Sequence, residues 1–443
     1  MDFYVTNLAA LCALNAILLY RRHRRRGPQL APFNAARRET ARKFQQRFLA
    51  PYALAVAADW LQGPHLYALY KSEKQLPEDV VALLYATGFV SAAVSATVAG
   101  QLVDRLGRRS ACQYYCIFNS FSCGLVLYRS MPLLILGRVS GGIATTLLFS
   151  AFESWMISEY HLLGLDDSVL PLKTVLENMT LVNSAVAMLS GVAGDALVEA
   201  SGMRVTPFVV ANLCCLVAAR LLLFLWRENS RGGPVVKGQW TDYWLGIVTV
   251  LTSKRISALA MATCFFEGAM YLFVFFWTAA LKSVRLRAGI DKEPPLGLIF
   301  SSFMCAMMAG SLVSAPLRAP SRQSATTDLC VAMAIGSGSL SCAVLFGDER
   351  KLFWAFCVLE ATVGAYFPAM GFLKSEFVDD DRRGHVYSAL RLPLNLFVLI
   401  GHSLDKEGDE HRVSVFLTLA GFLAAASVVV QRSLARSGGD GAA

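Results

Sequence analysis

Charge is what this chain has least of. Asp, Glu, Lys and Arg make up 16% of its 443 residues, where soluble domains carry about 25%, so an ordinary water-soluble enzyme or binding module is excluded. Eleven cysteines include no C-x-x-C pair and six histidines no H-x-x-x-H pair, which leaves no disulfide frame or metal centre and calls for no cofactor. A G-x-x-x-x-G-K-[ST] phosphate loop is missing, so ATP does not drive whatever the chain does. The hydrolase elbow G-x-S-x-G is missing too, and GVAGD at 191–195 has no Y-D partner helix to make an intramembrane protease. Long alternating strand patterns, which a barrel needs, are also absent.

What is present is apolar. Hydrophobic residues reach 55% and mean hydropathy +0.48, and runs of roughly 18 to 25 apolar residues recur, the span that a hydrocarbon core of about 30 Å requires. The chain is an all-α, polytopic membrane protein. Its formal charge of +9 does not point to nucleic acid, because the basic residues collect in short loops on alternate sides of the runs, as the positive-inside rule describes. Loop Arg21 to Arg47 carries ten Arg and Lys residues against Glu39 alone and is assigned to the cytoplasm. The outer loop 282–293 fits less well, with Lys282, Arg285, Arg287 and Lys292 against Asp291 and Glu293.

The first run, Phe3 to Tyr20, has its basic cluster behind it, the reverse of a cleaved signal peptide. It reads as a retained helix with its start outside, and residues 1–47 form this helix with a basic loop. Six runs follow within 48–226, then a polar linker at 227–255 that carries Arg231, Lys237, Gly232, Gly233 and Pro234 and reads as flexible. Six more runs lie within 256–431, and a Gly- and Ser-rich tail, 432–443, reads as disordered. Six plus six around a basic middle loop is the architecture of a two-halved transporter, with the C-terminus in the cytoplasm.

Within the second run, DWLQGPHLY at Asp59 to Tyr67 places an acid ahead of Gly63 and Pro64. Ionisable groups in lipid cost about 2.5 to 3.5 kcal/mol and face a protein interior or a wet cavity. Pro64 frees a backbone carbonyl one turn earlier. Pro368 and Pro393 are expected to break two later helices in the same way.

GQLVDRLGRRS, Gly100 to Ser110, resembles the loop signature of the major facilitator superfamily, G-x-x-x-D-R-x-G-R-[KR]. Gly100 and Gly107 allow close approach, Asp104 can cap or pair, and Arg105 and Arg108 stay in the cytosol. The corresponding loop, Pro316 to Thr327, has lost the pattern. The segment from Gly137 to Met156 resembles the Arg- and Gly-containing fourth helix of that superfamily; its Arg138 and Glu153 lie about 22 Å apart along the helix and cannot pair with each other.

A narrower resemblance rests on DWLQGP at 59–64, LLFSAFESW at 147–155, FVFFWT at 273–278, PLGLIFSSFM at 295–304, YFPAM at 366–370 and RLPLN at 391–395. Together these strings are similar to the eukaryotic molybdate-anion transporter family, over nearly the whole chain. The resemblance implies a major facilitator fold with an extra N-terminal helix and uptake of molybdate, a tetrahedral dianion, across the cell membrane. It also implies that the first and fourth helices of each half line a central cavity. Those helices carry Asp59, Arg138 with Glu153, Glu267 and Glu360.

Acids outnumber bases there, which is awkward for an anion carrier. Moving a dianion against an inside-negative potential costs about 4.6 kcal/mol per 100 mV, at about 2.3 per charge. Proton cotransport would offset this, and Asp59, Glu267 and Glu360 are the coupling candidates. Arg138 and Arg391 are the candidate anion ligands, since a guanidinium offers forked donors; the alternative for both is an interhelical ion pair. Gln62, Tyr366 and Asn395 can add neutral hydrogen bonds. Carriage of sulfate or an organic anion by the same fold, and a sensor that does not transport, are the other readings.

Overall fold

The computed structural model describes residues 3–25, 35–166, 169–229, 239–314, 321–345, 347–378, 383–403 and 408–434. Among these it is helical, in the order α1 (Phe3–Arg25), α2 (Ala35–Trp60), α3 (Gly63–Ala68), α4 (Glu78–Leu106), α5 (Arg108–Leu125), α6 (Met131–Leu162), α7 (Leu172–Ser201) and α8 (Thr206–Leu225). Then come α9 (Gln239–Thr252), α10 (Lys254–Ala262), α11 (Gly268–Arg287), α12 (Leu296–Ser314), α13 (Arg322–Leu345), α14 (Glu349–Phe377), α15 (Arg383–Ser403) and α16 (Asp409–Leu434). Ten of the described spans are long and apolar enough to cross a membrane. α2, α5 and α15 are more polar, yet at 26, 18 and 21 residues each takes its place among the packed helices. With them the N-terminal helix and the two sets of six are accounted for.

Contacts divide the chain into two compact units. The N-terminal unit comprises Arg21–Pro234 with Leu296–Ser301; the C-terminal unit comprises Met1–Tyr20, Val235–Pro295 and Ser302–Ala443. In the N-terminal unit α6 packs on α4 and α5, and α2 on α7 and α8. Its aromatic core gathers Phe48, Phe152, Trp155 and Trp226, with the two indoles stacked at 3.7 Å. Each buried indole N–H finds a carbonyl, Trp155 on Arg227 at 2.9 Å and Trp226 on Arg47 at 2.8 Å. Aromatic faces thus fill the core while their polar edges donate to backbone carbonyls, one within α2 and one just beyond α8.

In the C-terminal unit α13 packs on α14 and α16, and α10 on α16. α1 joins this unit instead of standing apart with the basic loop. Tyr4 donates its hydroxyl to Glu349, Asn15 Nδ2 donates to the Cys305 carbonyl at 2.9 Å, and the Phe3 ring meets Phe353 edge-on at 5.5 Å. Buried side-chain amides need partners, and this one shares its donors between the Leu11 carbonyl of its own helix, at 3.1 Å, and α12. The basic residues of loop 282–293 also find acids: Lys282 pairs with Glu293 at 3.1 Å, Arg285 with Glu349 at 2.6 Å and Arg287 with Asp409 at 3.6 Å. Local neutralisation explains why the excess of cations in that loop fits the helix order.

Four expectations change. The linker 227–255 is not flexible throughout, because Gln239–Thr252 forms α9, which packs on α15 and α10; Trp240 to Thr252 is apolar enough to gain from packing. Residues 230–238 lie outside the described residues, as do 435–443 of the tail, while 432–434 complete α16. Pro368 and Pro393 interrupt nothing, since α14 and α15 run through them. A proline removes one backbone bond, and neighbouring helices make that tolerable in a membrane bundle.

Candidate functional site

The first helix of the N-terminal bundle stops at Trp60 and restarts at Gly63, with Pro64 in the first turn of α3 where its missing N–H costs nothing. Gln62 holds the break together. Its Nε2 donates to the Ala58 carbonyl at 2.7 Å and to Asn119 Oδ1 at 3.2 Å. With both amide hydrogens engaged, Gln62 has none left for an anion, and its task is structural. Trp60 donates to Asn183 of α7 at 2.9 Å. Below the break the chain winds one π turn, Leu69–Glu73, whose Lys74 N–H reaches the Leu69 carbonyl at 2.9 Å.

Asp59 sits partly buried in the last turn of α2, and among the described residues no cation lies within 4 Å and no hydrogen-bond donor reaches it. The charge that acts on it is that of Arg138 in α6. Arg138 is held by its backbone-facing side: Nε donates to the Leu84 carbonyl at 3.2 Å and the guanidinium lies 5.6 Å over the Tyr85 ring. Gly88 makes the space, because a Cβ there would collide with that guanidinium. No carboxylate pairs with Arg138 among the described residues, so the ion-pair alternative finds no partner there. Glu153, farther along α6, is exposed and unpaired among the described residues, one turn from exposed Phe149; with Asp59 it acts on Tyr52.

In the C-terminal unit, α10 and α11 form one span joined by a π turn, Thr263–Glu267. Such turns push side chains out of register and recur at functional sites. Glu267 closes this one and is 9% exposed. Its Oε1 accepts the Tyr366 hydroxyl at 3.1 Å and lies 3.7 Å from Lys374 Nζ. Tyr366 is fully buried and stacked on Phe266 at 4.1 Å. Its hydroxyl therefore fixes Glu267, a different task from hydrogen-bonding a substrate. Arg391 of α15 is exposed, with no carboxylate within 4 Å among the described residues, and its charge acts on Tyr271 and Lys374. Asn395, one turn on, is partly buried. Glu360 is 4% exposed and has no hydrogen-bond or ion-pair partner among the described residues.

Lys374 is the member that sequence reasoning missed. It lies at the end of an apolar run, where a lysine reads as an interfacial anchor; its signal was a position two turns beyond Tyr366 on the same helix. Asp195, the acid of GVAGD, caps α12: its two oxygens accept the N–H groups of Gly297 and Leu298 at 2.8 and 2.9 Å.

In the loop signature, Gly107 adopts φ +93°, a conformation that side chains with a Cβ rarely take. Glu228, beyond α8, caps α5 by accepting the N–H groups of Arg109 and Ser110, both at 3.1 Å, and Arg109 Nη1 donates to the Trp226 carbonyl at 3.2 Å. Arg108 is partly buried at the start of α5. The side chains of Gly100, Asp104 and Arg105 lie outside the described set.

Comparison with known proteins agrees with this architecture. Residues 3–345 match the MFS_5 family model, described as "Sugar-tranasporters, 12 TM". The Molybdate-anion transporter of Danio rerio is 33% identical over 425 residues, covering 89% of this chain and 85% of that protein. The chain belongs to the molybdate-anion transporter family. Proteins of the same name from Takifugu rubripes and Xenopus tropicalis are 32% and 31% identical, over 90% and 91% of this chain and 86% and 89% of theirs. Among solved structures, the nucleoside transporter NupG matches with TM-score 0.69 at 11% identity, covering 88% of this chain and 98% of NupG. That likeness shows a shared fold for this member of the family and carries no inference about its solute.

Proposed function

We propose that the chain carries molybdate into the cell across the plasma membrane, as a secondary transporter working by alternating access. The observation that carries this reading is Arg138, a partly buried guanidinium held by a carbonyl and an aromatic ring with no carboxylate partner among the described residues. A cation fixed in this way is preorganised for a tetrahedral oxyanion. Arg391 is the second anion ligand, and Asn395 adds a neutral contact. Asp59 and Glu360, carboxyl groups without partners among the described residues, are the proton-coupling groups; Glu267, tied to Tyr366 and Lys374, is the weaker candidate. The description of the matching family model favours a neutral sugar as the second reading, which gives Arg138 no task.

The test is uptake of labelled molybdate into proteoliposomes, with and without an imposed pH gradient. Uptake that tungstate or sulfate competes and glucose does not supports the anion reading. Uptake indifferent to the gradient removes the proton coupling and leaves the carrier. Failure to move molybdate under either condition overturns the proposal.

A further inference from the structure

A cavity of about 750 Å³ opens in the C-terminal unit where α10 and α13 begin and α14 and α16 end. Its chemistry changes along its length. At the helix ends it is lined by Arg255, Arg322, Gln323, Thr326 and Gln431. Both guanidiniums lie over the Phe377 ring, Arg255 at 5.7 Å and Arg322 at 5.5 Å. Arg322 also pairs through Nε with Glu376 at 2.5 Å. Farther along α13 the lining turns to Cys330, Val331 and Ala334. There α13 and α16 are stitched by Ser427, whose hydroxyl donates to the Cys330 carbonyl at 3.1 Å. Val331 is 49% exposed, so this limb opens sideways.

Length decides what fits. From Arg322 to Ala334 the lining follows α13 for twelve residues, about 18 Å at 1.5 Å per residue. Half of a bilayer core is about 15 Å. A free anion would occupy only the mouth, whereas a phospholipid would set its phosphate at the arginines of the mouth and lay an acyl chain along the apolar limb. The basic-loop pattern puts these helix ends on the cytoplasmic side, the leaflet that holds the anionic lipids.

We propose that this cavity is a binding site for an anionic phospholipid of the inner leaflet, with Arg255 and Arg322 as headgroup ligands and the face around Val331 as the acyl-chain seat. The lining includes neither Arg138 nor Arg391, and the site does not depend on which solute is carried.

The full chain, purified and exchanged into nanodiscs, would be offered phosphatidylserine against phosphatidylcholine, and retained lipid counted by native mass spectrometry. Wild type is expected to retain phosphatidylserine selectively. Arg255→Gln with Arg322→Gln should weaken retention on the order of 30-fold, each cation near an anionic leaflet contributing about fivefold. Val331→Phe, which fills the limb and keeps the charges, should also lower retention. Three results would overturn the proposal: equal retention of the two lipids by wild type, unchanged selectivity in the double arginine variant, or inorganic phosphate alone displacing the bound lipid, which would mark a free-anion site.

Discussion

Asp59 and Glu267 occupy the first helices of the two bundles, and each lies at a flaw in its helix, Asp59 ahead of the turn at Leu61 and Gln62 and Glu267 in the π turn 263–267. Beyond that placement they differ. Glu267 has a tyrosine and a lysine on one oxygen, whereas Asp59 has no partner within reach among the described residues and shares its unit with an unpaired arginine. A repeated architecture has kept the position of an acid and changed its chemistry. A carboxylate already neutralised by a buried cation is a brace, while an acid and a base held apart are both available to a proton, to water or to a passing anion.

The comparison can be broken most forcefully at the brace. Lys374→Met leaves Glu267 with its tyrosine alone, and losing one partner of a buried pair costs about 3 to 5 kcal/mol; adding Glu267→Gln should recover most of it. Thermal unfolding in detergent measures both, and a single variant as stable as wild type would show that the pair braces nothing. Next in size is Arg138→Ala. Losing charge-assisted bonds worth about 1.5 to 3 kcal/mol each should weaken molybdate affinity on the order of 100-fold. Arg138→Lys should recover only part, for want of a planar fork, and normal affinity in the alanine variant would end the ligand assignment.

The loops extend the contrast, since only the first half carries the signature. Gly107→Ala forces a Cβ into a positive-φ position and against the Glu228 carboxylate, and should cost about 2 kcal/mol of stability. A variant with unchanged melting would show that the loop relaxes freely. Smallest is the effect at the unpartnered acids. Asp59→Asn and Glu360→Gln keep shape and remove the proton site, so each should cut the few-fold stimulation by an inward proton gradient while uptake without a gradient persists. A full gradient response in both would move the coupling role elsewhere.

The apolar spans and their order were legible because hydropathy records them directly, while α9 inside the linker was not, and acids inside apolar runs marked both first helices. The details that separate a paired acid from an unpaired one were not. A π turn leaves no composition signature, so the reach of Glu267 to Lys374 was hidden, as was the role of Tyr366 as donor to Glu267. Gln62 looked like a ligand because an amide beside an acid reads as one; only the two bonds it makes to Ala58 and Asn119 show it occupied. Pro368 and Pro393 read as breaks because the rule for a soluble helix was applied to helices supported on several sides.

The seating of α1 sets a timetable. Asn15 meets Cys305 across 290 positions of sequence, and Tyr4 meets Glu349 across 345. At about 5 to 20 residues per second of synthesis, α1 waits on the order of 15 to 60 seconds after its own synthesis for these partners to be made. α1 is therefore locked long after it is made, and during that interval the Asn15 amide has the Leu11 carbonyl of its own helix as a partner while the α12 carbonyl is still to come.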